Sequence, residues 1–183
     1  QKGIMVSRSF GRRITEYPDI AEAVASYVSR AAEKLRSQDL AANQLTVSLR
    51  TSPFDTRQER HANASGFVFP QATFDTPSMI SAAHRCLKRI YKPGPAYQKA
   101  GVFLDALEKT GRMQLSLFAN TDMDKSRALM KAVDRINRDW GCDTVRFAAA
   151  GAWRPSGAPW SMKQDMRSPC YTTRWRDLKR VGD

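Results

Sequence analysis

The sequence predicts an α+β fold, a ferredoxin-like β-α-β-β-α-β domain over residues 1–111 with a small α/β segment behind it. Three observations predict it. Four stretches alternate apolar and polar residues, as half-buried strands do. Two stretches repeat apolar residues at helical spacing. Proline and glycine punctuate the chain between them.

The elements follow in order. Ile4 to Phe10 reads as a strand with Ile4 and Val6 on one side and Met5, Ser7 and Ser9 on the other; Gly11 ends it and Arg12-Arg13 follow. Pro18-Asp19 opens a helix, since proline is tolerated in a first helical turn. Its stripe is Ile20, Val24, Tyr27, Val28, Ala31 and Leu35, with Arg30, Lys34 and Arg36 towards its negative end. Leu45 to Thr51 alternates again, Leu45, Val47 and Leu49 inward and Thr46, Ser48 and Arg50 outward, until Pro53. Residues 54–63 read as loop, and Ser65 to Phe69 as a short strand closed by Pro70. Thr76-Pro77 is expected to start the second helix with Thr76 as N-cap, on the stripe Ile80, Ala83, Leu87, Ile90 and Tyr91. Pro93-Gly94-Pro95 breaks that helix, and Tyr97 to Leu107 is the last strand, with Ala100, Val102 and Leu104 inward and Lys99 outward.

Beyond residue 111 the pattern changes. Residues 112–120 read as a linker and residues 121–183 as a small partner-binding region. Asp122 or Asp124 is expected to cap a helix carrying Leu129, Met130, Val133, Ile136 and Trp140, ended by Gly141. Thr144 to Ala149 is expected as a strand. Trp153, Trp160 and Ser168 to Trp175 lie in basic, aromatic sequence too short for a core of its own.

Charge narrows the partners. The formal net charge is +12, and both parts of the chain share it: sixteen Lys and Arg against ten Asp and Glu up to Gly111, fourteen against eight after it. Such an excess favours nucleic acid or another acidic surface. The outward positions Ser7, Ser9, Thr46, Ser48, Arg50 and Lys99 suit a phosphate backbone, because hydroxyls donate hydrogen bonds and cations release counterions. No aromatic residues stand among them, so base stacking of the RNA-recognition kind is not expected. A face that is merely wet is the alternative reading.

Other chemistry is not signalled. Cys86, Cys142 and Cys170 form no C-x-x-C, only His61 and His84 accompany them, and the odd count fits a reducing cytosol. No apolar run approaches the ~20 residues of a membrane span. No carboxylate pair brackets a metal, no nucleophile stands with a base, and no glycine loop cradles phosphate, so no catalytic residue or cofactor is assigned to this stretch. A chain beginning Gln1-Lys2-Gly3 is expected to be a piece of a longer one.

The linker holds a pentapeptide, Gln114-Leu115-Ser116-Leu117-Phe118. A leading Gln with closing Leu-Phe can plug an apolar groove, the amide fixing the register and a few anchors supplying the affinity. An amphipathic edge strand is the competing reading.

Several blocks resemble one family. Val6-Ser7-Arg8-Ser9-Phe10-Gly11, Ser29 to Arg36, Thr51-Ser52-Pro53-Phe54, Tyr97 to Val102, the pentapeptide and Ser168 to Thr173 are similar, in order, to the little finger and C-terminal region of Y-family translesion DNA polymerases of the UmuC lineage, catalytic subunits of bacterial DNA polymerase V. The resemblance implies the C-terminal part of an error-prone, SOS-response polymerase of the bacterial cytoplasm. The magnesium-binding carboxylates of such an enzyme belong to a palm outside this stretch. It implies a little finger gripping primer-template duplex through phosphates, here at Ser7, Arg8, Ser9, Arg12, Arg50, Thr51 and Lys99. It implies a β sliding-clamp motif in Gln114, Leu115, Leu117 and Phe118, and a C-terminal region associated with the processed UmuD-like accessory dimer and the RecA filament. A regulator that binds those proteins without touching DNA is the alternative function.

Overall fold

The structure is a computed structural model and describes residues 2–56, 58–112, 123–152, 157–163 and 168–178. The elements run β1 (Gly3–Ile14), α1 (Tyr17–Arg36), β2 (Leu40–Thr51), β3 (Ala62–Thr73), α2 (Thr76–Ile90), β4 (Tyr97–Lys109) and, past a short 3-10 turn at Thr110–Arg112, α3 (Met123–Asp139). The first six realise the expected β-α-β-β-α-β order. The strands form one antiparallel sheet in the order β1-β4-β2-β3. Each β-α-β unit is thus split: β4 lies between the parallel pair β1 and β2, and β2 lies between β3 and β4.

Both helices pack on one side of this sheet. Ile20, Val24, Val28, Ala31 and Leu35 of α1 and Met79, Ala83, Leu87 and Ile90 of α2 are buried against Ile4, Val6, Leu45, Val47, Leu49, Ala100, Val102 and Leu104. Burying each large aliphatic side chain contributes about 1.5–3 kcal/mol, so this single interface holds most of the stability. Cys86 lies inside it, and burial pushes its thiol pKa up.

The boundaries differ in instructive ways. β3 begins at Ala62 and runs through Pro70 to Thr73. It is an edge strand, where a residue without an N–H leaves no ladder bond broken. The cap of α2 is Asp75, not Thr76: its carboxylate accepts from the Ser78 N–H at 2.9 Å. Thr76 is instead fully buried, and its hydroxyl accepts from the Arg36 guanidinium at 2.8 Å.

The region behind the sheet packs on the helix layer. Of the expected stripe on α3, only Met130 is buried, while Leu129, Ile136 and Trp140 remain exposed. Gly141, in the left-handed region at φ 108°, follows that helix. Thr144 to Ala149 is not a strand. The Asn137 amide donates to the Val145 carbonyl at 3.0 Å and accepts from its N–H at 2.8 Å, occupying the groups a ladder would need. A 3-10 turn at Ala148–Ala150 follows. The pentapeptide at 114–118, Asp122 and Trp153 lie outside the described residues.

Candidate nucleic-acid interface

The face of the sheet away from the helices is laid out in rows, because residues paired across neighbouring strands point the same way. One row is Ser9, Lys99, Arg50 and Ala62; the next is Ser7, Gly101, Ser48 and Ala64. Then come Met5, Phe103, Thr46 and Gly66, and finally Gly3, Asp105, Gln44 and Val68. Rows lie about 6.8 Å apart along the strands. The face is therefore graded: cationic at one end, small and hydroxylic next to it, and mixed at the other end, where Met5 and Val68 are well exposed and Phe103, Gln44 and Asp105 share the surface. Among the described residues no helix covers it.

The cationic row has a feature that periodicity did not reveal. Arg50 and Lys99 are cross-strand partners on the two central strands, and neither forms an ion pair among the described residues. Like charges set directly opposite destabilise a sheet by roughly 0.2–1 kcal/mol. An anion lying between them removes that repulsion.

Gly101 is the residue that sequence reasoning missed. A Cβ there would come within 3.0 Å of both the Ser7 Cβ and the Ser48 Oγ. Its hydrogen leaves a trough between the two hydroxyls, so an incoming group approaches the backbone closely. The signal was an isolated glycine inside a strand, but only the register shows what flanks it.

Two expected contact residues are placed elsewhere. Thr51 is buried; its hydroxyl bonds the His61 backbone, accepting from the N–H at 3.0 Å and donating to the carbonyl at 3.3 Å. Arg8 is exposed, but it pairs with Ala100 and so stands on the helix side of the sheet. The reason is one rule. Successive strand residues face opposite ways, so Arg8 cannot share a face with Ser7 and Ser9, nor Thr51 with Arg50. Ser7, Ser9, Arg50 and Lys99 do come together on the open face. Arg12 lies past Ser9, where the pairing of β1 with β4 loses its regular register, and is exposed at the sheet's edge. Its neighbour Arg13 pairs with Asp55.

No group of three or more His, Cys, Asp or Glu residues able to hold a metal ion occurs among the described residues. The two histidines serve the fold. His61 Nε2 is 2.9 Å from the Ile90 carbonyl, and His84 Nε2 is 3.2 Å from that of Ala21. No described helix is long and apolar enough to cross a membrane.

Comparison with known proteins places the chain. The model of the impB/mucB/samB family C-terminal domain matches residues 1–117, and a domain of unknown function matches residues 127–181. Protein UmuC of Salmonella typhimurium strain LT2 is 40% identical over 179 residues, covering 97% of this chain and 42% of the relative. Protein ImpB of Salmonella typhimurium is 41% identical over 182 residues, covering 98% of this chain and 42% of that relative. The chain thus spans about two fifths of the length of the curated relatives it matches. The crystal structure of DinB from Sulfolobus solfataricus aligns over 56% of this chain and 28% of its own at 14% identity, with a TM-score of 0.45, too loose a likeness to carry an argument. With the family match covering nearly two thirds of its length and a sheet of the expected class beneath it, the chain belongs to the impB/mucB/samB family, whose C-terminal domain it carries.

Proposed function

We propose that this chain is the duplex-gripping, clamp-tethering C-terminal part of an error-prone translesion DNA polymerase of the bacterial SOS response. The observation that carries the reading is the pair Arg50 and Lys99, two cations side by side on the central strands of an uncovered sheet face, with no carboxylate paired to them among the described residues. A phosphate backbone supplies the missing negative charge. Ser7, Ser9 and Ser48 donate hydrogen bonds from the same face, Gly101 lets the backbone approach, and Arg12 extends the positive field to the edge. Such contacts hold a duplex without reading its sequence, as suits an enzyme that must accept damaged templates.

The magnesium ions of such a polymerase belong to the palm, which this stretch does not include, and this chain's residues contribute no step of phosphoryl transfer. Gln114, Leu115, Leu117 and Phe118 form the hook for the β sliding clamp, which raises the local concentration of the polymerase at the template. The exposed Leu129, Ile136, Trp140 and Trp175 favour a protein-binding role for the region behind it. The processed UmuD-like dimer and the RecA filament are its proposed partners in the bacterial cytoplasm.

A salt titration of duplex binding tests the grip. Affinity should fall linearly in log–log form with a slope of roughly −0.9 per phosphate contacted. An affinity indifferent to salt would sink the reading and favour a regulator that binds only proteins.

A further inference from the structure

The outer edge of β1 is not left bare. The Gly11 N–H donates to the Ser161 carbonyl at 3.1 Å, so a piece of residues 157–163 lies where a fifth strand would begin. A Cβ on Gly11 would sit 2.2 Å from that oxygen and 2.8 Å from the Lys163 nitrogen, so this approach requires glycine.

Two open clefts meet at Ser161. One, of about 430 Å³, is lined by Gly11, Arg12, Pro159 and Lys163. The other, of about 520 Å³, is lined by Arg8, Tyr27, Arg30, Asp143, Trp160 and Met162. Arg30 is held by Asp143 at 2.8 Å, whereas Arg8, Arg12 and Lys163 form no ion pair among the described residues. Trp160 is half-buried and oriented twice over. Its indole N–H donates to Glu22 at 3.0 Å, and its ring meets Tyr27 edge-on with centroids 6.0 Å apart. Met162 is exposed beside it.

Cations unpaired among the described residues, interleaved with a fixed indole and a polarisable thioether, are the chemistry of single-stranded nucleic acid, whose phosphates need charge and whose bases need flat apolar partners. A duplex hides its base faces and cannot use Trp160. We propose that this edge groove takes a single-stranded segment continuing from the duplex held on the open face. The path is short. Ser9 and Arg8 are neighbours on β1 pointing to opposite sides of the sheet, and Arg12 stands at the edge between the two faces. The inference rests on the duplex-gripping role proposed above and assigns a second, separate track.

The test uses the whole chain and three probes: a blunt duplex, the same duplex with an overhang of about eight nucleotides, and oligothymidylate alone. The overhang should tighten binding several-fold. The Arg8→Ala/Lys163→Ala double variant should lose that gain while its affinity for the blunt duplex stays unchanged. Oligothymidylate should quench tryptophan emission in the wild type and not in Trp160→Phe. An overhang that adds nothing, which would leave the groove to an acidic protein segment, overturns the proposal. So does a double variant that weakens blunt and overhanging duplexes equally. If the blunt duplex fails to bind, the open-face reading falls by itself, and oligothymidylate binding that the double variant abolishes still upholds the groove.

Discussion

Arg36 holds Asp134 with two hydrogen bonds, Nε to Oδ2 at 2.7 Å and Nη2 to Oδ1 at 2.6 Å. Its third nitrogen, Nη1, donates to the Phe74 carbonyl at 3.0 Å and to the Thr76 hydroxyl at 2.8 Å. One side chain from the end of α1 therefore joins α3 to the start of α2. Ser126 adds a second tie, donating to the capping Asp75 at 2.6 Å.

Removing one side of that pair leaves a half-buried charge without its partner. Asp134→Asn is expected to cost about 1.5–3 kcal/mol, the scale of a hydrogen bond to a charged group. A double-mutant cycle with Arg36→Met, read by urea unfolding, should show a coupling of about 0.5–3 kcal/mol. Limited proteolysis of Asp134→Asn should release α3 before it cuts the sheet. Additive mutations would mean that the pair is geometric only.

The cationic row of the open face should trade stability against binding. Arg50→Ala with Lys99→Ala relieves cross-strand repulsion, so thermal unfolding should be unchanged or higher by up to about 1 kcal/mol. Duplex affinity should drop, and the slope of log affinity against log salt should shrink by about 2. A binding loss with an unaltered slope would show that these residues act through the fold and not on phosphates.

The pentapeptide should separate from the sheet in function. Leu117→Ala with Phe118→Ala is expected to abolish clamp binding in a pull-down or calorimetric titration while duplex affinity keeps its wild-type value. Equal clamp affinity in the variant would remove the hook reading.

High pH should loosen the domain through its tyrosines. Burial pushes the Tyr27 phenol up to about 12, only partly opposed by the nearby Arg8, and burial raises Tyr17 and Tyr97 too. The folded state then holds these protons more tightly than the unfolded chain, whose tyrosines titrate near 10. The stabilisation is complete below pH 10 and is lost as pH rises towards 12. Denaturant midpoints measured over that range should fall with pH, and less steeply in Tyr27→Phe. A flat profile would contradict the burial of these rings.

What was legible in the chain and what was not divides along a physical line. Local periodicity placed Leu45, Val47 and Leu49 in the core and Arg50 on the outside, because alternation is a property of a single strand. The same rule sets Arg8 and Thr51, which the resemblance adds to the contact set, on the opposite side of the sheet from Ser7, Ser9 and Arg50. The pairing of β4 between β1 and β2 is long-range, and with it the juxtaposition of Arg50 with Lys99 and the trough at Gly101. No local pattern encodes them. Behind the sheet, the apolar stripe on α3 correctly signalled a helix. It gave a poor guide to burial, since only Met130 finds a pocket and Trp140 faces solvent. The strand expected near Val145 failed because one neighbouring side chain, Asn137, captured its backbone.

The strand order also sets a timetable for biosynthesis. Of the four described strands β1 is made first, yet its neighbour in the sheet is β4, made last. β1 must wait until Tyr97 and the residues after it emerge, with β2 and β3 able to pair as a hairpin in the meantime. A nascent chain halted before Tyr97 would present that unpaired, half-apolar strand to the cell, which makes the interval a natural target for chaperones and proteases.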